Sequence, residues 1–246
     1  MRELEPLLEA TNTVMAQLRH LLNDQKRFVR DTAHQLRSPL AVMKTQVQSA
    51  LRDEANPKPP LHEIETTIDR ATTLTNQMLS LAKVEQLRLS SEKHESDLYV
   101  AAKAVSLELA PLVVDKDINF EVEGADAAIR CHEWMLHELT RNLLHNAIKH
   151  TPPRGSIVVQ VSREGAVATL SISDSGPGIS SELRPRLFQP FSAGDIRTGS
   201  GLGLAICEEI MIAVGGSIAL ENRETGGRIC GLEALVKLPL AARLIT

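Results

Sequence analysis

A few clusters of residues in the 246-residue chain combine types and spacings that could do chemistry. The first is FVRDTAHQLRSPL, Phe28 to Leu40, with His34 at its centre. A neutral imidazole has a free lone pair near pH 7, its unperturbed pKa being about 6.5, so an exposed histidine can act as a nucleophile. The second is RNLLHNAIKH, in which Asn142 and Asn146 are four apart and share one helical face. An asparagine carbonyl is an oxygen ligand of the kind a hard cation such as Mg²⁺ prefers. The third is Asp174-Ser175-Gly176-Pro177-Gly178, directly after a strand-like run. Its carboxylate can accept a hydrogen bond from an exocyclic amine, and its glycines let backbone come close to a flat ring. The fourth is Gly199-Ser200-Gly201-Leu202-Gly203-Leu204, opening a helix, where backbone amides suit phosphate. No Gly-Lys-Ser/Thr follows, so this is not a P-loop. Between the last two, Ser180 to Thr198 carries Arg184, Arg186 and Arg197 around Leu187-Phe188-Gln189-Pro190-Phe191. Apolar anchors and cations of this type would suit a mobile cover over a triphosphate. Each cluster alone has an ordinary alternative: a helix-surface asparagine, a plain turn, a weak glycine triplet, a surface loop.

The elements that would position these residues fall into two groups. Upstream of His34, Leu4, Leu8, Thr11, Met15, Leu18, Leu22, Gln25, Val29, Thr32 and Leu36 alternate at four- and three-residue steps, a coiled-coil seam softened by polar members. His34 stands two residues from Thr32 and from Leu36, which turns it away from that seam toward solvent. Residues 2–54 read as one long helix or two in register, about 80 Å if continuous. Pro39 removes one backbone bond beside His34 and should bend the helix there. Asn56-Pro57-Lys58-Pro59-Pro60 breaks it. Leu61, Ile64, Ile68, Ala71, Thr75, Met78, Leu81 and Val84 mark a second amphipathic helix ending near Leu87. A hairpin of two such helices hides its apolar stripes most economically by dimerising into a four-helix bundle; packing on its own chain is the alternative.

The polar stretch Ser90 to Asp97 reads as a linker. Beyond it, helical patterns at 98–114, 132–150 and 202–214 mix with strand patterns at 118–122, 127–130, 157–161, 167–173, 217–221 and 229–238. This mixture predicts an α+β fold with helices on a largely antiparallel sheet. The domain boundaries expected are 1–22, 23–89, the 90–97 linker and 98–246. With 43% hydrophobic but only 2% aromatic residues, the cores must be mainly aliphatic. A net charge of −4 and few aromatics argue against a nucleic-acid partner. Cys131, Cys207 and Cys230 have no ligand spacing and read as buried apolar residues of a reducing compartment. No apolar run reaches the roughly 20 residues of a membrane helix. The heptad already runs at Leu4, as if cut from a longer helix.

Taken in order, these clusters resemble the boxes of bacterial two-component sensor histidine kinases. HQLRSP resembles the H box, HELTRNLLHNAIKHTP the N box, DSGPGI the G1 box, LFQPF the F box and TGSGLGLAI the G2 box. The segment ELEPLLEATNTVMAQLRHLLNDQKRF is similar to the end of a HAMP signalling helix, and AHQLRSPLAVMKTQVQSALR to tricarboxylate-sensing members. The resemblance implies a dimerisation and histidine-phosphotransfer hairpin, followed by a Bergerat-type (GHKL) α/β sandwich that binds ATP and Mg²⁺. It makes Asn146 the Mg²⁺ ligand, supported at the phosphates by Asn142. Lys149 would reach a phosphate, and His150 would lie near the adenine or ribose. Asp174 would hold the adenine amine in a pocket shaped by Gly176 and Gly178. Gly199, Gly201 and Gly203 would line the phosphate end, with Arg197 reaching the γ-phosphate.

The implied reaction is ATP-dependent phosphorylation of His34, then transfer to an aspartate on a response regulator receiver domain. The implied location is a cytoplasmic fragment, tied to the inner membrane only through a missing N-terminal sensor region. The chain departs from the commonest family pattern at Gln35, which replaces an acidic residue. An amide can fix the imidazole tautomer without serving as a base, and Asp31 is an alternative acceptor. Ser38 falls where the family orients water for dephosphorylating the regulator, or else bonds back to a helix carbonyl. Two other readings compete: an ATPase clamp of the gyrase or mismatch-repair type, which would not need HQLRSP, and a nucleotide-binding pseudokinase.

Overall fold

The computed structural model describes Met15 and residues 40–48, 58–89, 94–191 and 201–241. The heptad seam around His34, with Gln35 and Ser38, lies outside the described residues apart from Met15, and so do Arg197 and Gly199. The chain divides into two compact units, Met1–Leu74 and Thr75–Thr246, with the division falling inside a helix.

In the first unit, residues 40–48 form helix α1, and helix α2 (Lys58–Leu89) begins there and continues past the division. Helix α2 starts within the predicted proline break, taking Pro59 and Pro60 into its first turn, where a missing N–H removes no helical bond. The two helices are joined by side chains. Thr67 is buried, with its hydroxyl 2.8 Å from the Glu63 carbonyl and 3.3 Å from Gln46 Oε1. Gln46 Nε2 donates to Glu63 Oε2 at 3.3 Å.

The second unit runs β1 (Ser96–Asp97), α3 (Leu98–Asp115), β2 (Asn119–Gly124), β3 (Ala128–Ile129), α4 (Glu133–His150), β4 (Ser156–Glu164), β5 (Val167–Asp174), α5 (Gly203–Val214), β6 (Ser217–Thr225) and β7 (Arg228–Pro239). The last two residues of the predicted linker thus form β1, paired antiparallel with β3. The remaining strands build one sheet in the order β2-β4-β5-β7-β6. Within this sheet only β2 and β4 run parallel; β4-β5 and β6-β7 are antiparallel hairpins, and β5 pairs antiparallel with β7 across the intervening α5 and β6, as the largely antiparallel expectation requires.

Local chemistry sets the helix ends. Asp97 caps α3 by accepting from the Val100 amide at 2.9 Å, and the His132 ring caps α4 by accepting at Nδ1 from the Trp134 amide at 3.1 Å. Helix α4 packs between α3 and α5 and lies over β5. Alternate residues of β4 and β5 (Ile157, Val159, Val161; Ala168, Leu170, Ile172) point into the layer between sheet and helices and are buried. They meet Leu136, Leu139, Leu144, Leu202, Ile206 and Ile210 in the aliphatic core that the composition requires. Cys131 and Cys207 are buried as expected, but Cys230 is exposed. It stands near the start of β7, beyond the helix layer, with its thiol 3.4 Å from the Arg223 carbonyl.

Candidate functional site

Helix α4 carries the polar face of the site because its opposite face is anchored in the core by Leu136, Leu139, Leu143, Leu144 and Ile148. Asn142 and Asn146 are half-buried on the remaining face. Asn142 Nδ2 donates to the Glu138 carbonyl at 2.8 Å and to Glu138 Oε1 at 3.2 Å, which fixes which end of its amide is free. The carbonyl end faces Gly203, the first residue of α5, where an added Cβ would stand 2.9 Å from Asn142 Oδ1. The two predicted phosphate-end residues are therefore in contact.

The far end of α4 is held by a residue outside the sequence motifs. Lys116 Nζ, from the turn after α3, donates to the carbonyls of Ile148, Lys149 and Thr151 at 2.8, 2.9 and 3.0 Å. These are helix-terminal carbonyls without intrahelical donors, and a cation there also complements the helix dipole. Thr151, only 1% exposed, adds a bond from its hydroxyl to the Ala147 carbonyl at 2.7 Å. The backbone presenting Lys149 and His150 is thereby fixed.

Asp174 ends β5 and is 4% exposed. Its Oδ1 accepts from the Gly176 amide at 2.7 Å and the Leu232 amide at 3.3 Å, which leaves Oδ2 for a further donor. Burial pushes this carboxyl above the ordinary carboxylate range; the two amide bonds oppose the shift, followed by the charges of His150 and Arg223. Packing around the His150 ring lowers its pKa although the residue is largely exposed, and the Lys149 charge adds to the effect. Lys149 is itself lowered by partial burial. Gly176 packs on the end of α4, since a Cβ there would lie 2.9 Å from the His150 carbonyl. Asp174, Gly176 and His150 thus meet at one end of α4, while Asn142 and Gly203 meet one face further back.

From Asp174 the chain crosses the site end of β7. Gly231 lies beneath the crossing, and a Cβ on it would collide with the Asp174 carbonyl oxygen. Gly178 has φ +71°, a left-handed conformation, and packs on Ile229 and Asn222. Arg223 donates to the Asp174 carbonyl at 3.2 Å. Gly201 precedes α5, and its carbonyl accepts from the Phe191 amide at 3.2 Å. The described part of the predicted cover, Ser180 to Phe191, includes a short 3-10 turn at Arg184–Arg186 with both arginines exposed.

Sequence reasoning missed Lys116, Glu138, Asn222, Arg223 and Gly231. A glycine inside a strand pattern is a known sign of close backbone approach, so Gly231 carried a usable signal. The others look like ordinary polar residues until their partners are placed.

Residues 24–87 match the model of the His Kinase A (phospho-acceptor) domain, and residues 131–242 that of histidine kinase-, DNA gyrase B- and HSP90-like ATPases. Sensor protein kinase PmrB of Pseudomonas aeruginosa is 33% identical over 246 residues, spanning 96% of this chain and 50% of its own. The chain thus spans about half the length of the curated relatives it matches. The structure of Acinetobacter baumannii histidine kinase AdeS superposes with a TM-score of 0.68 at 20% identity, over 84% of this chain and 98% of that one, a likeness of fold. Mycobacterial sensor histidine kinase MprB gives a TM-score of 0.54 at 27% identity, over 61% of this chain and 98% of that one. The sandwich of three helices on a five-stranded mixed sheet is the expected GHKL architecture. Having a phospho-acceptor domain followed by this ATPase domain, the chain belongs to the bacterial two-component sensor histidine kinases.

Proposed function

We propose that this chain binds ATP in its second unit, phosphorylates His34, and passes the phosphoryl group to an aspartate of a response regulator receiver domain, working as a homodimer through the α1–α2 hairpin. The observation that carries the reading is Asp174, a buried carboxylate with one oxygen occupied by the Gly176 and Leu232 amides and the other left for an adenine amine. Gly176 and Gly178 shape the pocket beside it, and His150 borders it from the end of α4. Asn146 is the Mg²⁺ ligand, with Asn142 aligned by Glu138 next to it. Both offer the amide oxygen that a hard cation takes. When bound, Mg²⁺ neutralises charge on the phosphates. Lys149 and Arg197 supply cationic contacts, and Gly199, Gly201 and Gly203 line the phosphate end before α5.

Phosphoryl transfer asks little covalent chemistry of a protein beyond positioning and charge neutralisation. The His34 ring attacks the γ-phosphorus with a nitrogen lone pair, and ADP leaves. Gln35 holds the other ring nitrogen as a hydrogen-bond acceptor, which fixes the tautomer. Ser38, one turn later, orients water for dephosphorylating the regulator. No helix among the described residues is long and apolar enough to cross a membrane; a sensor region N-terminal to this core would link it to the inner membrane.

Incubation with γ-labelled ATP tests the reading. Acid-labile, alkali-stable label that disappears in His34→Gln supports it. Turnover without protein label would instead make the chain an ATPase clamp, and absence of any chemistry a pseudokinase. Among variants, Gln35→Leu lowers autophosphorylation while Gln35→Glu keeps or raises it; equal rates in all three proteins would remove the tautomer role. Regulator dephosphorylation that is unchanged in Ser38→Ala would remove the water-orienting role.

A further inference from the structure

Asn222 occupies an unusual position for a polar strand residue. In the cross-strand row at the site end of the sheet, Ile157 pairs with Asp174, Asp174 with Leu232, and Leu232 with Asn222. Asn222 and Asp174 therefore share a row with one strand between them, and Asn222 is half-buried. Among the described residues its carboxamide pairs with no other side chain. Oδ1 accepts from the Ile179 amide at 2.7 Å, and Nδ2 donates to the Ile179 carbonyl at 2.9 Å. A carboxamide has one acceptor and two donors on a planar group, so it can satisfy both backbone groups of a single residue as a neighbouring strand would.

The loop pinned this way spans from Asp174 to Ile179, and its other bonds lie at its start, where the Ser175 amide donates to the Ser156 carbonyl at 3.1 Å and the Ser175 hydroxyl accepts from the Ser156 amide at 2.8 Å. It bonds at its start through Gly176 to Asp174 and through Arg223 to the Asp174 carbonyl. It passes over Gly231, and Gly178 adopts its left-handed conformation against the Asn222 carboxamide itself. Substituting Asn222 would leave the Ile179 amide and carbonyl without their side-chain partner and release the far end of the loop.

We propose that Asn222 is a positioning residue of the nucleobase pocket, pinning Ile179 so that the Gly176–Gly178 backbone and the Asp174 carboxylate keep one spacing. This rests on the reading of Asp174 as the adenine contact. It sets the base end of the site, and the phosphate end at Asn142 and Gly203 stands apart from it.

The experiment is calorimetric titration of the full chain with ATP and, separately, with GTP, for the wild type, Asn222→Leu, Asn222→Asp and Asp174→Asn. Loss of two hydrogen bonds predicts about tenfold weaker ATP binding in Asn222→Leu. GTP binding, which gains nothing from an adenine-spaced loop, changes less, so the ATP-to-GTP preference narrows. Autophosphorylation shows KM for ATP rising by more than kcat falls. Asn222→Asp keeps the acceptor but loses the donor and follows the same direction, which keeps the test open should Asn222→Leu fail to fold by circular dichroism. Unchanged ATP affinity in folded variants, or equal loss for ATP and GTP, overturns the positioning role. If the wild type binds ATP and Asp174→Asn weakens it while both Asn222 variants bind as wild type, the positioning role alone falls. If the wild type does not bind ATP, or Asp174→Asn binds it normally, the nucleotide reading falls, and the positioning role with it.

Discussion

The role proposed for Asp174 sets two opposed requirements on it. Accepting from an exocyclic amine works best with an ionised carboxylate, yet burial disfavours that form and raises the carboxyl above its ordinary value. The folded chain therefore holds this proton to a higher pH than the unfolded chain does. The stability from the raised group is present below the unfolded carboxyl value and is lost as pH rises through the folded one, so at neutral pH the buried charge is a cost. Asparagine at this position keeps an oxygen for the Gly176 and Leu232 amides and carries no charge. Asp174→Asn is thus expected to raise the thermal midpoint at pH 7, with the gain shrinking at pH 4. It should also weaken ATP binding by about a hundredfold, the scale of one charged hydrogen bond. Melting curves at the two pH values and a binding titration check both parts. A lower midpoint at pH 7 than at pH 4, each relative to wild type, would mean that the amide bonds outweigh desolvation. On the proposed reading, function and stability pull apart at this residue, as is common where a site needs a group its surroundings disfavour.

At the scale of elements, the site depends on how helix and strand ends are secured. Lys116 bonds three carbonyls at the end of α4 from 32, 33 and 35 residues away. Lys116→Met should cost about 1–3 kcal/mol, since helix-end carbonyls, two of them in part-buried bonds, lose their donor. Lys116→Arg should recover part of that, because guanidinium also donates; denaturant midpoints decide it. On the sheet side, Gly231→Ala places a methyl where the Asp174 carbonyl oxygen now sits, and no flexible side chain is available to yield. A destabilisation of about 1–3 kcal/mol is expected, together with weaker ATP binding, because the displaced atom belongs to the residue proposed to hold the base.

These two residues also show what the sequence could reveal. Helix α4 and strands β4 and β5 were legible because their buried faces repeat at the helical or strand period. The apolar pattern of β6 ends at Glu221, since Asn222 to Thr225 are polar, yet pairing with β7 carries the strand to Thr225. Asp174, Gly176 and Asn142 stood out through local motif spacing. Lys116 and Asn222 did not, because their partners are remote in sequence and become neighbours only when the sheet closes.

For the whole molecule, the division at Leu74 separates two units whose proposed roles can be tested independently. The stripe predicted on α2 is unevenly covered: Val84 is 2% exposed, whereas Ile68 is 47% exposed. A β-branched apolar residue open to water on the stripe of a long helix is what a hairpin leaves for a second copy to cover. The chain is therefore expected to be a dimer in solution, and Ile68→Glu to shift it to monomer, because each dimer would then bury two carboxylates at the seam. Light scattering should show the mass fall by half. Asp174, Asn142 and Gly203 all belong to the second unit, so ATP affinity in Ile68→Glu should stay at the wild-type value. Loss of ATP binding along with the dimer would show that the nucleotide site depends on the hairpin; a mass unchanged by Ile68→Glu would place the dimer seam elsewhere.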